Sequence, residues 1–294
     1  MLRNGVPFLW GVGILYQTNK WLSRCYLNAL TGNSAWDWKK EIVILTGGSS
    51  GIGAAVASRL AKNGTKVIIL DIQPPLDETV ANVFFYATDI SSSTAIEQVA
   101  EDIRRQHGDP SVLINNAGTG NSKLIMDQSA AETERIFNIN ILAHFHLVRQ
   151  FLPAMVKQNH GHVVTVASMA SFVTQGKNVS YACTKAAALA FHEGLGQEIK
   201  HRYHAPKVRT TIVHPTLTRT PLVEHVTRDS QSRSFCLEPE TVADAIVEQL
   251  YSGQGGQLIL PARFSLITGI RGFPSWLQEL IRDALTSSRQ SKAS

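Results

Sequence analysis

From Glu41 onward, short apolar runs alternate with longer stretches whose apolar residues return every three or four positions. "EIVILTGG" (41–48) is apolar and β-branched with no period-two alternation, so it reads as a strand buried on both faces. A helical pattern follows over 52–63 and stops at Gly64, a residue suited to ending a helix in a left-handed turn. The same reading places strands at 66–71, 83–89, 111–118, 161–168, 208–215 and 256–261. Between them lie helical patterns at 91–108, 132–158, 179–200 and 239–253. Strands alternating with helices predict a parallel sheet, and right-handed crossovers put helices on both its faces. The expected fold is an α/β, doubly wound, seven-stranded parallel sheet, one domain over residues 36–262.

The two ends depart from this pattern. "VPFLWGVGILY" (6–16) is an unbroken apolar run behind Arg3, too short to span a bilayer unaided. Lys20, Trp21, Arg24, Tyr26, Trp36 and Trp38 follow it, and aromatic and basic flanks suit an interfacial anchor. Residues 1–35 are therefore expected to form a hydrophobic arm on a membrane. The alternative is an arm packed on the protein's own core or on a partner subunit. Residues 217–236 carry few structural signals and are expected to form a lid over the substrate. The tail, 263–294, contains the amphipathic stretch "FSLITGIRGFPSWLQELIRDAL" (264–285), which would extend a membrane face or pack on the domain or on a second copy.

Composition narrows the function classes. A 44% hydrophobic and 17% charged chain has material for a sizeable core. The net charge of +5 is modest, and apart from a group around Lys200, His201, Arg202, His204, Lys207 and Arg209 the basic residues are scattered. No basic–aromatic stripe suggests a nucleic-acid groove. Three cysteines without a CxxC fit a reducing compartment and no disulfide framework. His144 with His146, and His160 with His162, do not form a metal site with available carboxylates. No G-x-S-x-G elbow suggests a hydrolase.

The first strand runs into "TGGSSGIG" (46–53). Gly47 permits a tight turn, Gly51 lets backbone approach a pyrophosphate, and Gly53 allows close helix–strand packing. The following helix offers free N–H groups to phosphates. Asp71, at the tip of the second strand, suits the adenosine ribose hydroxyls and repels a 2′-phosphate. Ser50 and Ile72 supply no cation to offset that repulsion, so NAD(H) is favoured, with NADP(H) as the alternative. The spacing T-G-x-x-x-G-I-G resembles the short-chain dehydrogenase/reductase family in its single-domain branch, over about residues 40–262. The resemblance implies a Rossmann-type sheet. It extends to Asp89 in "TDI", matched to the aspartate that contacts adenine, and to "NNAG" (115–118). It marks Thr46, Ser49, Ser50, Ile52, Ile90, Asn116, Ala117 and Gly118 as further cofactor-binding positions, with Pro215, Thr216 and Thr220 near the nicotinamide.

"SYACTK" (180–185) puts Tyr181 and Lys185 on one helix face, with Cys183 turned about 200° away by the helix pitch. Ser168 lies thirteen residues before Tyr181, and "FNIN" (137–140) places Asn140 upstream. Asn140, Ser168, Tyr181 and Lys185 match the family's catalytic four. A tyrosine is a poor base at neutral pH, and a nearby ammonium together with a positive nicotinamide is expected to lower its pKa. Tyr181 would then be the acid/base and Ser168 the group that stabilises charge on the substrate oxygen. Lys185 would also hold the nicotinamide ribose, and Asn140 would help a water carry protons outward, as the resemblance implies. The chain departs from the family at Thr216, where Pro-Gly is usual, at Ala143 and at Ala167.

"LEPETVADAIVEQL" followed by "GQLILP" resembles the retinol and 17β-hydroxysteroid dehydrogenase-like subgroup. That implies an oxidoreductase of lipophilic alcohols, ketones or aldehydes, on the endoplasmic reticulum or lipid droplets with its catalytic domain facing the cytosol. If the arm packs on the protein, a cytoplasmic location follows instead. A homo-oligomer is also implied. The competing readings are an NADPH-dependent carbonyl reductase of a biosynthetic pathway and a non-catalytic cofactor-binding protein of a membrane or lipid droplet.

Overall fold

A computed structural model describes residues 5–32, 35–77, 80–223 and 236–290. Seven strands form one parallel sheet in the order β3-β2-β1-β4-β5-β6-β7. They are β1 (Ile42–Thr46), β2 (Lys66–Asp71), β3 (Val83–Ala87), β4 (Val112–Asn115), β5 (Gly161–Val166), β6 (Val208–Pro215) and β7 (Gly256–Leu260). An arm helix α1 (Gly5–Leu27) precedes them; α2 (Gly51–Lys62), α3 (Ser93–His107), α4 (Ala130–Phe137), α5 (Ala143–Gln158), α6 (Val179–His201) and α7 (Pro239–Tyr251) connect them, and α8 (Ser275–Gln290) follows. The order reverses between β1 and β4. A crevice opens there beyond the carboxyl ends of the strands.

Alternate residues of each strand feed two cores. Ile44, Ile68, Leu113 and Val163 meet α3 and α5 on one face through Ile96, Ile103, Leu147 and Phe151. Val43, Leu45, Val67, Ile69 and Ile114 meet α2 and α7 on the other through Val56, Leu60, Val242, Ile246 and Leu250. Burial of one such side chain contributes about 1.5–3 kcal/mol, so both faces of the sheet are strongly specified.

β2 and β6 end where expected, and the other five strands end earlier than their apolar runs suggested. Glycine, aspartate and asparagine at 47, 89 and 116 leave the ladder at the carboxyl edge, where the crevice lies. The helix expected over 132–158 is two helices. Ser129 caps α4 in a capping box with Glu132, so α4 starts two residues earlier than expected. A five-residue π turn, Asn138–Leu142, separates α4 from α5.

The arm does not simply project. Asn28 is buried and exchanges hydrogen bonds with Gly255: its Oδ1 accepts from Gly255 N at 2.8 Å and its Nδ2 donates to Gly255 O at 3.4 Å. Arg209, 2% exposed, donates to the carbonyl oxygens of Asn28 (2.9 Å), Gly32 (2.9 Å), Pro206 (3.0 Å) and Gly253 (3.4 Å). Trp36 stacks on Trp38 at 4.9 Å, and Trp38 meets Tyr251 edge-on at 4.7 Å. All these contacts lie where β5, β6 and β7 begin, the opposite edge from the crevice. Ahead of them α1 leaves Ile14, Leu15, Trp21 and Tyr26 exposed. Among the described residues no helix is long and apolar enough to cross a membrane.

The tail turns back over the crevice side. Residues Ala262–Gly272 wind in 3₁₀ turns, and Ile270 is buried against Phe172 and Val173, with Ile267 and Ile281 beside them. Of the expected lid over 217–236, residues 224–235 lie outside the described residues. Its two ends are joined, since Leu237 N donates to Leu217 O and Arg219 N to Leu237 O, both at 2.9 Å.

Arg209→Met would remove the guanidinium donor from four carbonyl oxygens, of which those of Asn28 and Pro206 keep a bond from Thr31 and those of Gly32 and Gly253 lose this donor. The expected loss of unfolding free energy is about 3 kcal/mol. It is read as a lower denaturation midpoint, together with faster proteolytic release of the arm.

Candidate active site

The crevice is built outward from the ends of β1 and β4. Thr46 Oγ1 accepts from the N–H groups of Asn116 and Ala117 at 3.0 Å each and donates to Ile114 O at 3.3 Å. Asn116 Nδ2 donates to the carbonyls of Thr46 and Gly47, both at 3.0 Å. The glycine loop that follows is tied to the neighbouring strand before it turns. Gly47 sits at φ +66° and Gly51 at φ +52°, conformations that side chains resist. A Cβ on Gly53 would lie 2.0 Å from Gly47 O, so α2 approaches its own loop as closely as backbone allows.

Asp71 ends β2 beside this loop. Its carboxylate accepts from Ile72 N at 2.7 Å and from Ser49 N at 3.1 Å, which holds it across the glycine turn. Asp89 accepts from Ser91 N at 2.9 Å, and the Ser91 hydroxyl and N–H hold its carboxyl below the ordinary carboxylate range. Neither Ser49, Ser50 nor Ile72, the residues around Asp71, bears a positive charge.

At the other end, the π turn carries Asn140 into the interior, completely buried. Single π turns frequently mark functional positions in helices. Its Oδ1 accepts from Thr119 N (2.8 Å), and its Nδ2 donates to Thr119 O (2.8 Å) and Thr184 Oγ1 (3.0 Å). Lys185 is 3% exposed and donates from Nζ to Val166 O at 2.9 Å. Its Nζ is 5.6 Å from the Tyr181 ring centroid. Ser168 is extended at the end of β5, and its Oγ accepts from Ala170 N at 3.1 Å.

Burial disfavours an ammonium and pushes Lys185 down to about 8. The expected lowering of Tyr181 does not come from the protein groups alone. Burial raises the phenol, and a hydrogen bond from Ser168 opposes this only in part. Lys185 Nζ meanwhile donates to Val166 O, and burial of the ring outweighs the hydroxyl of Ser168.

A cleft of about 700 Å³ joins these two ends. Of the sequence candidates, Gly47, Ser50, Gly51, Ile52, Asp71, Asp89, Ile90, Asn116, Ala117, Gly118, Ser168, Tyr181, Lys185, Pro215, Thr216 and Thr220 line it. Thr46, Ser49, Gly53 and Asn140 stand behind its wall. The glycines fit a dinucleotide: side chains at 47, 51 and 53 would collide with Ala117, Thr220 and Gly47 respectively, so the floor is bare backbone. Beyond the sequence candidates, the lining includes Thr119, Gly120, Asn121 and Ser122, and Phe264 and Ile267 from the tail. The first four follow directly on "NNAG" and were within reach of that motif. Nothing local marks the last two, because only the fold of the tail brings them there. Cys183 is exposed and lies outside the lining.

Such a cleft belongs to a dehydrogenase or reductase that uses a nicotinamide dinucleotide. Residues 41–231 match the family model for short chain dehydrogenases, and the chain belongs to that family. It is 45% identical to Dehydrogenase RED2 of Cochliobolus heterostrophus over 68% of this chain and 76% of that one. It is 34% identical to Estradiol 17-beta-dehydrogenase 11 of Macaca fascicularis over 78% and 77%. A solved short chain dehydrogenase/reductase from Burkholderia phymatum, in complex with NAD, superposes with a TM-score of 0.71 at 22% identity, covering 83% of this chain and 97% of that one. The protein is an NAD(P)-dependent oxidoreductase of this family with the seven-stranded Rossmann-type sheet.

The lysine has a thermodynamic consequence. Its ordinary pKa is 10.5, and folding lowers it to about 8. Between these values the unfolded chain binds more protons than the folded one, so this group makes stability rise with pH. In Lys185→Met that contribution disappears. The stability gap between variant and parent, from denaturant titrations between pH 7.5 and 10.5, is expected to change by about 3 kcal/mol.

Proposed function

We propose that the protein exchanges hydride between NAD(H) and a lipophilic alcohol, ketone or aldehyde of retinoid, steroid or fatty type, with Tyr181 as general acid/base. The observation that carries this reading is the convergence of Lys185, Tyr181 and Ser168 at one end of a cleft whose other end is a bare glycine loop. Hydride exchange is the chemistry a nicotinamide supplies when bound. The chain's own groups handle the proton and the charge. Tyr181 takes the alcohol proton in oxidation and returns it in reduction, and Ser168 Oγ donates to the substrate oxygen as charge develops there. Lys185, held by Val166 O, supports the phenolate and meets the ribose. Gly118 leaves space bounded by Asn140 Oδ1 and Lys185 Nζ, each 3.6 Å from where its Cβ would be, and there a water would carry the proton outward.

Asp71 supports NAD(H) over NADP(H), since no cation accompanies it among its neighbours. Met169, Val173, Leu217, Leu222, Phe264 and Ile267 give the substrate end an apolar wall, which supports a lipophilic substrate. The similarity to Estradiol 17-beta-dehydrogenase 11 supports the same class. The proposed location is a membrane or lipid-droplet surface, reached through the exposed apolar side chains of α1 with Lys20 and Arg24 beside them. Domain limits of 1–35, 36–262 and 263–294 and a homo-oligomeric state are part of the same reading.

Initial rates with NAD⁺ and NADP⁺ against a panel of retinoids, steroids and fatty alcohols test the assignment. NAD⁺ is expected to be preferred, and Tyr181→Phe to lower kcat by about 10²–10⁴-fold while cofactor Kd stays within about twofold. A Tyr181→Phe enzyme as fast as the parent sinks the acid/base role, and a strong NADP⁺ preference sinks the part given to Asp71. In a flotation assay with anionic phospholipid vesicles, the full chain is expected to float. Replacing Trp21 and Tyr26 by serine is expected to leave it at the bottom, and unchanged flotation would move the contact away from α1.

A further inference from the structure

Ser168 is held by more than its own turn. The ladder between β5 and β6 closes with Ala167 N donating to Val213 O at 2.8 Å. Pro215, two residues on, has no N–H with which to continue it. Beyond the ladder the Ser168 carbonyl takes two donors. Ser171 N donates from the following turn at 3.0 Å, and the His214 side chain meets it through Nδ1 at 3.1 Å. A carbonyl only accepts, so Nδ1 carries the proton. The other ring nitrogen, Nε2, lies 3.3 Å from Gln257 Nε2, an amide donor, so it presents its lone pair. Both partners thus select one neutral tautomer. The ring is completely buried and packs on Phe172 at 4.7 Å between centroids. Burial pushes its pKa to about 4, with Lys185 and His192 as ionisable neighbours, so the imidazole stays neutral at working pH.

We propose that His214 is a positioning residue for Ser168: its Nδ1–H fixes the Ser168 carbonyl, and Gln257 holds the imidazole in the tautomer that can do so. The carbonyl, the Cα and the Oγ of Ser168 belong to one short rigid turn, in which Oγ also accepts from Ala170 N at 3.1 Å. Fixing the peptide plane fixes the direction of the Cα–Cβ bond, hence where the hydroxyl meets the reacting oxygen. An error of about 1 Å at such a group costs on the order of 100-fold in rate. The chain of contacts runs from β7 through β6 to the end of β5 and crosses no cofactor site. The proposal rests on the reading of Ser168 as the hydroxyl that serves the substrate oxygen.

Two measurements on the full chain separate the proposal from that reading. Long-range ¹H–¹⁵N correlation spectra of the histidine rings, with His214 assigned by its disappearance in His214→Asn, are expected to show the Nδ1–H tautomer at neutral pH. An Nε2–H tautomer or an imidazolium overturns the proposal. In kinetics, His214→Leu is expected to lower kcat by about 10- to 100-fold with cofactor Kd unchanged. His214→Asn keeps an N–H donor at the position of Nδ1 and is expected to recover to within about threefold of the parent. In a Ser168→Ala background, His214→Leu is expected to cost nothing further. Equal losses in the Leu and Asn variants, or an additive loss in that background, overturn the positioning role. A Ser168→Ala enzyme with parental kcat overturns the reading of the serine, while the spectra still report on the hydrogen bond itself.

Discussion

Thr46 and Asn116 join the ends of two strands that are far apart in sequence, and the cleft grows from that junction. The hydroxyl of Thr46 collects two N–H groups from the β4 loop while the amide of Asn116 collects two carbonyls from the β1 loop. Loop backbone at the end of a parallel sheet has lost its ladder partners, and leaving it unpaired inside the protein is costly. These two side chains take up those groups, so the glycine turn leaves the sheet in one direction. The helix α2 then starts against it with no side chain between, because Gly53 has none to interpose. The dinucleotide floor and the start of the chemical end both inherit their position from this junction, since Ala117 and Gly118 continue directly from Asn116 toward Lys185.

At the chemical end the governing cost is the burial of a charge. Lys185 enters the interior with a single carbonyl acceptor from β5, and its proton is loosened as a result. Tyr181 is strengthened as an acid holder by the same burial, so neither group is ready for proton transfer through its own environment alone. Burial thus pushes the two pKa values apart, the phenol up and the ammonium down, so that in the protein alone Tyr181 keeps its proton. The opposite edge of the sheet solves a similar problem differently. Arg209 stays charged in a buried site because four carbonyl oxygens surround it. The arm supplies two of these, from Asn28 and Gly32, so it becomes part of the domain at the edge farthest from the chemistry.

Much of this was legible along the chain because the signals are local. Buried parallel strands are continuous apolar runs, and each run from "EIVILT" to "GQLIL" became a strand. The glycine spacing, Asp71 at a strand tip and the i,i+4 pair Tyr181–Lys185 each reflect one turn or one helix face. The π turn at Asn138–Leu142 escaped because apolar periodicity runs through it from α4 into α5 without a break. The shift of Tyr181 escaped because it depends on how deeply the ring is buried, which no spacing reports.

What the sequence by itself determined is the order of strands and helices, the glycine turn and the order of the candidate catalytic groups, since periodicity and short-range geometry carry these. Only the tertiary structure decided which distant segments meet. It set the tail residues Phe264 and Ile267 into the wall of the cleft and tied the strap after α1 to Arg209. It also brought His214 to the carbonyl of Ser168, a contact between residues 46 positions apart. Such contacts arise from packing across the sheet, where a side chain's partner is chosen by register and burial and leaves no periodic trace in the chain.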